Sequence, residues 1–153
     1  MEFDINGNLK PYEIIYTDWA TFKAEFVDAF PRSSTRQVIF QNFSEYLERL
    51  IPIIGTGFHQ WIDGSFVTRK LSPRDIDLVT FVDAGIYYSN EPEIDIFRNG
   101  YLGHKARIDE YFVKQYPDAH RKYEFYHMDT LQWYNQFTTS RAQQPKGFIQ
   151  LNF

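Results

Sequence analysis

Two aspartates separated by a single residue, Asp75 and Asp77, follow a Gly64-Ser65 pair across the polar stretch Phe66 to Arg74. The residues on either side, His59 to Asp63 and Leu78 to Val82, read as strands. Side chains alternate along a strand, so the two aspartates are expected on one face with Cα atoms roughly 6.6 to 7 Å apart. Mg²⁺ takes hard oxygen ligands in octahedral geometry, usually one or two carboxylates plus substrate phosphates, and this pair can supply the carboxylates. Two ions held this way would clamp the attacking and leaving oxygens of an in-line phosphoryl displacement. Gly64 lets the backbone approach a ligand closely, and the Ser65 hydroxyl with its neighbouring amides can donate to phosphate oxygens. Taken singly, a Gly-Ser turn is common and an Asp-x-Asp can be the solvated face of a half-buried strand. Their order and spacing together point to metal-assisted phosphoryl transfer.

Charge is uneven around these residues. Arg69, Lys70 and Arg74 gather between Ser65 and Asp75, where a triphosphate would lie, and Glu91, Glu93 and Asp95 form an acidic counterpart further on. A solvated loop is the plain alternative for the basic trio. The net charge of −4 argues against a broad surface for duplex nucleic acid, which is bound through clustered Lys and Arg.

At these positions the chain resembles the nucleotidyltransferase superfamily of the DNA polymerase beta type. Its signature is an apolar strand, Gly-Ser or Gly-Gly, a loop of about ten residues, and two acids one residue apart on the next strand. A closer likeness is to small uncharacterised bacterial proteins of that superfamily. It rests on Gly7-Asn8-Leu9-Lys10-Pro11, Gly64-Ser65-Phe66-Val67-Thr68, Pro73-Arg74-Asp75-Ile76-Asp77-Leu78-Val79 and Lys146-Gly147-Phe148-Ile149. The resemblance implies transfer of a nucleoside monophosphate from a nucleoside triphosphate to a protein or small-molecule hydroxyl, with two Mg²⁺ ions at Asp75, Asp77 and a third carboxylate. Gly64, Ser65, Arg69, Lys70 and Arg74 would contact the nucleotide. Some minimal members act as antitoxins, which implies a toxin-like partner protein. A module that keeps the fold, pairs with such a partner and has lost catalysis is the alternative.

The superfamily's third carboxylate lies on a later strand. Glu124 is the first candidate, because Lys122 to Met128 alternates like a strand and an acid between aromatics needs a partner to offset its desolvation. Asp95 and Asp118 are the alternatives, and Glu124 can equally face solvent on an edge strand.

Composition sets the outer limits. The 153 residues, 43% hydrophobic and 19% aromatic, suit one domain with one sizeable core, and no repeat, low-complexity tract or linker divides residues 1–153. Zero cysteines exclude disulfides, Cys-ligated zinc and thiol nucleophiles. No apolar run approaches the ~20 residues of a transmembrane helix, and Met1-Glu2-Phe3-Asp4 does not resemble a signal peptide, so a cytoplasmic protein with no membrane partner is expected. The four histidines lack ligand spacing, and no P-loop or hydrolase elbow occurs.

The elements that must position the acids follow from periodicity. Leu9 to Thr17 reads as an entry strand, and Thr17 or Asp18 caps a helix carrying Trp19, Phe22, Phe26 and Phe30, stopped by Pro31. A second helix follows Ser33 and Ser34, with Ile39, Phe43, Tyr46, Leu47 and Leu50 as its apolar stripe and Pro52 and the Gly55/Gly57 turn at its end. Ala84 to Gly100 reads as an irregular excursion, Tyr101 or Leu102 to Tyr116 as a third helix, Asp129 onward as a short last helix, and Phe148 to Phe153 as a closing strand. The expected architecture is α+β: a nucleotidyltransferase-like mixed β-sheet with helices packed mainly on one face.

Overall fold

The antiparallel strands β4 (His59–Asp63) and β5 (Ile76–Asp83) lie within a five-stranded mixed sheet in the computed structural model of the chain. The structure describes residues 1–101 and 106–153, and the side chains of these apart from 99–101. Near the amino terminus β1 (Glu2–Phe3) and β2 (Leu9–Lys10) form a separate antiparallel pair, and β3 (Ile14–Tyr16) enters the main sheet. With β6 (Ile108–Gln115) and β7 (Phe148–Asn152) the sheet order is β3-β7-β4-β5-β6. The β3–β7 and β5–β6 pairs are parallel and the others antiparallel.

Alternation assigns each strand residue to one of two cores. Ile76, Leu78 and Val82 of β5 join Ile62, Ile108 and the helices α1 (Trp19–Lys23), α2 (Arg36–Ile54), α3 (Ala84–Ser89) and α4 (Glu91–Tyr101) in the larger cluster. Val79 and Phe81 face the other way and pack with Trp61, Val113, Phe148 and Phe137 of α5 (Tyr123–Phe137). The α+β class and mixed sheet are as expected, with four helices on one face and one on the other. Among the described residues no helix is long and apolar enough to cross a membrane.

Local chemistry explains the helix ends. Asp18 caps α1 by accepting from the Thr21 amide at 2.8 Å, and α1 continues as a π-helical turn over Ala24–Asp28 that buries Phe26 and Val27. Phe30 lies past that turn, so the fourth member of the expected stripe sits outside the helix. In α2 the stripe Ile39, Phe43, Tyr46, Leu47 and Leu50 is buried, and the helix runs through Pro52 to Ile54 before Gly55 turns it off at φ 76°.

Several expected elements differ. The single entry strand expected over Leu9 to Thr17 is broken around Pro11 into β2, which pairs with β1, and β3, which pairs with β7 in the main sheet. Ala84 to Gly100 is helical, not irregular: Asp83 caps α3 through the Ile86 amide, and Pro92 stands in the first turn of α4, where a missing N–H costs nothing. The helix expected to begin at Tyr101 or Leu102 is instead the end of α4 and the whole of β6; Leu102 itself lies outside the described residues. Buried Glu110 disguises the strand's alternation, because a charged residue occupies a core-facing position between Ile108 and Phe112. The strand expected over Lys122 to Met128 is the first half of α5, whose aromatic residues Tyr123, Phe125 and Tyr126 suggested β structure from sequence.

Candidate functional site

Asp77 has a carboxylate-bearing neighbour on each side. Across the antiparallel pair it is in register with Asp63, and across the parallel pair with Asp109. The three residues form a row over β4, β5 and β6 on the face that carries Trp61, Val79 and Phe81. Asp75 immediately precedes β5 and is also half-buried. Burial first, then the charges of Asp63, Asp75 and Asp109, push the Asp77 pKa up to about 6, although Lys146 opposes this.

The Gly64-Ser65 pair opens a 3₁₀ turn, Gly64–Val67, directly after β4. Gly64 has φ 78°, and a Cβ there would stand 1.8 Å from Asp77 Oδ2. The backbone conformation therefore favours glycine, and any side chain there would have to displace the Asp77 carboxylate. The turn and the acid thus share one wall of the site.

Arg36 holds the following loop. Its side chain is fully buried and donates to five backbone carbonyls, those of Phe26, Phe66, Thr68, Lys70 and Leu71, at 2.6 to 3.3 Å. Its guanidinium carbon also lies 3.9 Å from the Phe30 ring centroid. Burial lowers its pKa to about 10, which still leaves it charged at neutral pH. An arginine fork can satisfy several carbonyls of an irregular segment at once, which fixes the loop without a sheet or helix ladder.

Segments far apart in sequence close around this end of the sheet. The Arg69 amide donates to Gly7 O at 2.9 Å, Gly147 N donates to Leu9 O at 2.7 Å, and Asn8 Nδ2 reaches Pro145 O at 3.4 Å. A Cβ on Gly147 would lie 2.2 Å from Pro11 O, so only glycine permits the approach. Lys146 is thereby seated with its Nζ 2.5 Å from Asp63 Oδ2, both side chains buried. Burial still raises the Asp63 pKa, against the pull of Lys146 and the nearby Gly64 amide, and among the described residues Oδ1 accepts no hydrogen bond.

The expected site residues divide into groups. Asp75, Asp77, Gly64 and the adjoining Ser65 come together. Arg69 and Lys70 line a groove of about 510 Å³ with Asp4 to Asn8, and the Arg69 guanidinium lies 5.3 Å from the Phe3 ring. Arg74 is exposed, and its carbonyl accepts from Arg107 at 3.0 Å. Glu124 is exposed in the first turn of α5. That end of α5 meets the carboxyl end of β6, where the Tyr126 hydroxyl lies 3.4 Å from Gln115 Nε2. Six strand rises separate Gln115 from Asp109, roughly 20 Å, so Glu124 stands at the wrong end of the sheet to join Asp77. Asp95 is exposed on α4 and Asp118 in the loop after β6.

Sequence reasoning missed Asp109, Asp63, Lys146 and Arg36. Asp109 is hidden in the sequence because its stretch of chain, β6, reads as helix. The alternation of Ile108, Glu110 and Phe112 was the available signal, and it required accepting a buried glutamate.

The chain belongs to a family of unknown function, DUF6932. The family's model matches residues 1–152. No curated protein and no solved structure gives a significant match.

The oxygen donors suit a divalent cation. Like charges set side by side on neighbouring strands repel, and Lys146, paired directly with Asp63, offsets the charge at Asp77 only in part, which leaves excess negative charge around Asp75, Asp77 and Asp109. Among the described residues no three acidic or histidine side chains are already gathered around a single point. Asp109 is exposed and Asp75 half-buried.

Proposed function

We propose that this chain is a Mg²⁺-dependent nucleotidyltransferase that moves a nucleoside monophosphate from a nucleoside triphosphate to a hydroxyl of a protein or small molecule. The single observation that carries this is Asp77, set in register with Asp109, two residues from Asp75 and against Gly64. Asp75, Asp77 and Asp109 would hold the metal. When bound, Mg²⁺ neutralises the triphosphate and aligns the attacking and leaving oxygens.

The protein's own groups have separate tasks. The bare Gly64 backbone admits a phosphate close to the strand, and Ser65 donates its hydroxyl to it. Arg69 and Lys70 offer charge to the far end of the triphosphate along their groove. The exposed Asp109 carboxylate accepts a hydrogen bond from the acceptor hydroxyl and orients it. The acceptor oxygen then bonds to the α-phosphorus, the bond from that phosphorus to the bridging oxygen breaks, pyrophosphate leaves, and the hydroxyl proton passes to Asp109 or to water. Lys146 pairs with Asp63 at the β4 end of the row. A toxin-like partner protein is one acceptor this reading allows.

Incubation of the purified protein with nucleoside triphosphates labelled at the α-phosphate, Mg²⁺ and cell extract tests the proposal. Label on a protein or small molecule supports it. Nucleotide binding by calorimetry without transfer to any acceptor favours a binding module.

A further inference from the structure

A second cluster of polar groups stands at the opposite end of the sheet, where β5 and β6 finish. Lys114 Nζ lies 4.6 Å from the Tyr87 ring centroid and 4.7 Å from that of Tyr88. Lys122 Nζ lies 5.5 Å from the Tyr88 ring and 5.8 Å from that of Tyr116. Two ammonium groups therefore converge over one exposed tyrosine. Neither makes an ion pair among the described residues, although Asp118 and Glu124 belong to the same stretch of chain. Like charges brought together without a carboxylate form a site that an anion would complete.

Neighbouring groups add to this. The Tyr88 and Tyr116 hydroxyls are 3.3 Å apart, and Lys114 Nζ is 3.5 Å from the Tyr88 hydroxyl. Tyr116 stacks on His120 with centroids 4.6 Å apart and planes 20° from parallel, and His120 is exposed. Lys122 stands at the N-cap position just before α5 and makes no side-chain capping hydrogen bond. Basic side chains beside an aromatic stack whose outer ring is exposed, here His120 on the half-buried Tyr116, are the pattern by which single strands are held: cations follow the phosphates while bases continue the stack. Duplex nucleic acid, with its bases already stacked, could use only the lysines.

We propose that this cluster binds single-stranded nucleic acid, with phosphates at Lys114 and Lys122 and a base stacked on the Tyr116–His120 pair. The site is separate from the carboxylate row, since five strand rises between Asp109 and Lys114 amount to roughly 17 Å. It stands whether or not the protein transfers nucleotides.

Fluorescence anisotropy with a labelled single strand of about twelve nucleotides tests this, titrated at several salt concentrations beside a duplex of the same length. The parent should bind the single strand more tightly than the duplex. Lys114→Gln with Lys122→Gln should weaken binding roughly tenfold and reduce the salt slope by about 1.4, the value for two phosphate contacts on a single strand. Lys114→Arg with Lys122→Arg should retain binding, which separates loss of charge from loss of fold. Asp77→Ala with Asp109→Ala should also retain it, which separates this site from the carboxylates. Absence of single-strand binding at low salt, equal binding by the glutamine variant, or a duplex bound as tightly as the strand would overturn the proposal.

Discussion

Asp77 occupies the space that any side chain on Gly64 would need, its Oδ2 lying 1.8 Å from the position of a β-carbon there. Gly64 ends the strand containing Asp63, which is itself the register partner of Asp77, so turn and acid are fixed by the same antiparallel pairing. This contact makes the Gly-Ser turn and the Asp-x-Asp pair a single structural unit.

Gly64→Ala should destabilise the protein and displace the carboxylate. Alanine at φ 78° incurs left-handed strain, about 1 to 2 kcal/mol, and its methyl group forces Asp77 aside. Urea unfolding of Gly64→Ala, Asp77→Ala and the double variant separates the two effects. The double variant should be more stable than the sum of the single losses indicates, because removing the carboxylate relieves the clash but not the strain.

Arg36 supports the loop that follows. Arg36→Met removes the donors of five carbonyl contacts and should cost about 3 kcal/mol or more in denaturant unfolding. Arg36→Lys keeps the charge but lacks the planar fork, so it should recover only part of the loss. Hydrogen exchange in the lysine variant should rise first in residues 66–71.

Glu110 gives the fold a defined pH response. It is buried, neither carboxylate oxygen has a hydrogen-bond partner among the described residues, and burial raises its pKa well above the ordinary 4.5. A carboxyl whose folded pKa is raised contributes its full stability below the unfolded value, and that contribution is lost as pH rises through the folded value. Glu110→Gln should therefore match the parent below about pH 4.5 and become more stable by roughly 1 kcal/mol or more toward pH 8. Equal pH profiles in thermal unfolding would show that Glu110 is not the titrating group.

Much of the sheet could be read from sequence because its residues obey simple alternation. His59 to Asp63 and Ile76 to Asp83 bracket a glycine turn, and Phe148 to Asn152 forms the closing strand. The α2 stripe was equally plain at helical spacing. Legibility failed where one residue type hid a pattern: Glu110 on a core-facing strand position, Pro92 in a first helical turn, and the aromatic run Tyr123 to Tyr126 at the start of a helix. Each depends on tertiary surroundings, whether on a buried carboxyl, a cap or an opposing face. Asp109 was lost with its strand, and the Lys146–Asp63 pair joins residues too distant in sequence for local spacing to reveal.

The most direct measurement compares the two acids that could complete the carboxylate set. Transfer of α-labelled nucleoside monophosphate should be followed for the parent, Asp109→Asn and Glu124→Gln at saturating nucleotide and Mg²⁺, with nucleotide affinity measured alongside. Asp109→Asn should lower transfer by about a hundredfold or more while nucleotide affinity changes little, since the lost interaction acts chiefly in the transition state. Glu124→Gln should transfer like the parent. Full activity in Asp109→Asn, or no transfer by the parent to any acceptor, would contradict the assignment of the row on β4, β5 and β6 as a nucleotidyl-transfer site.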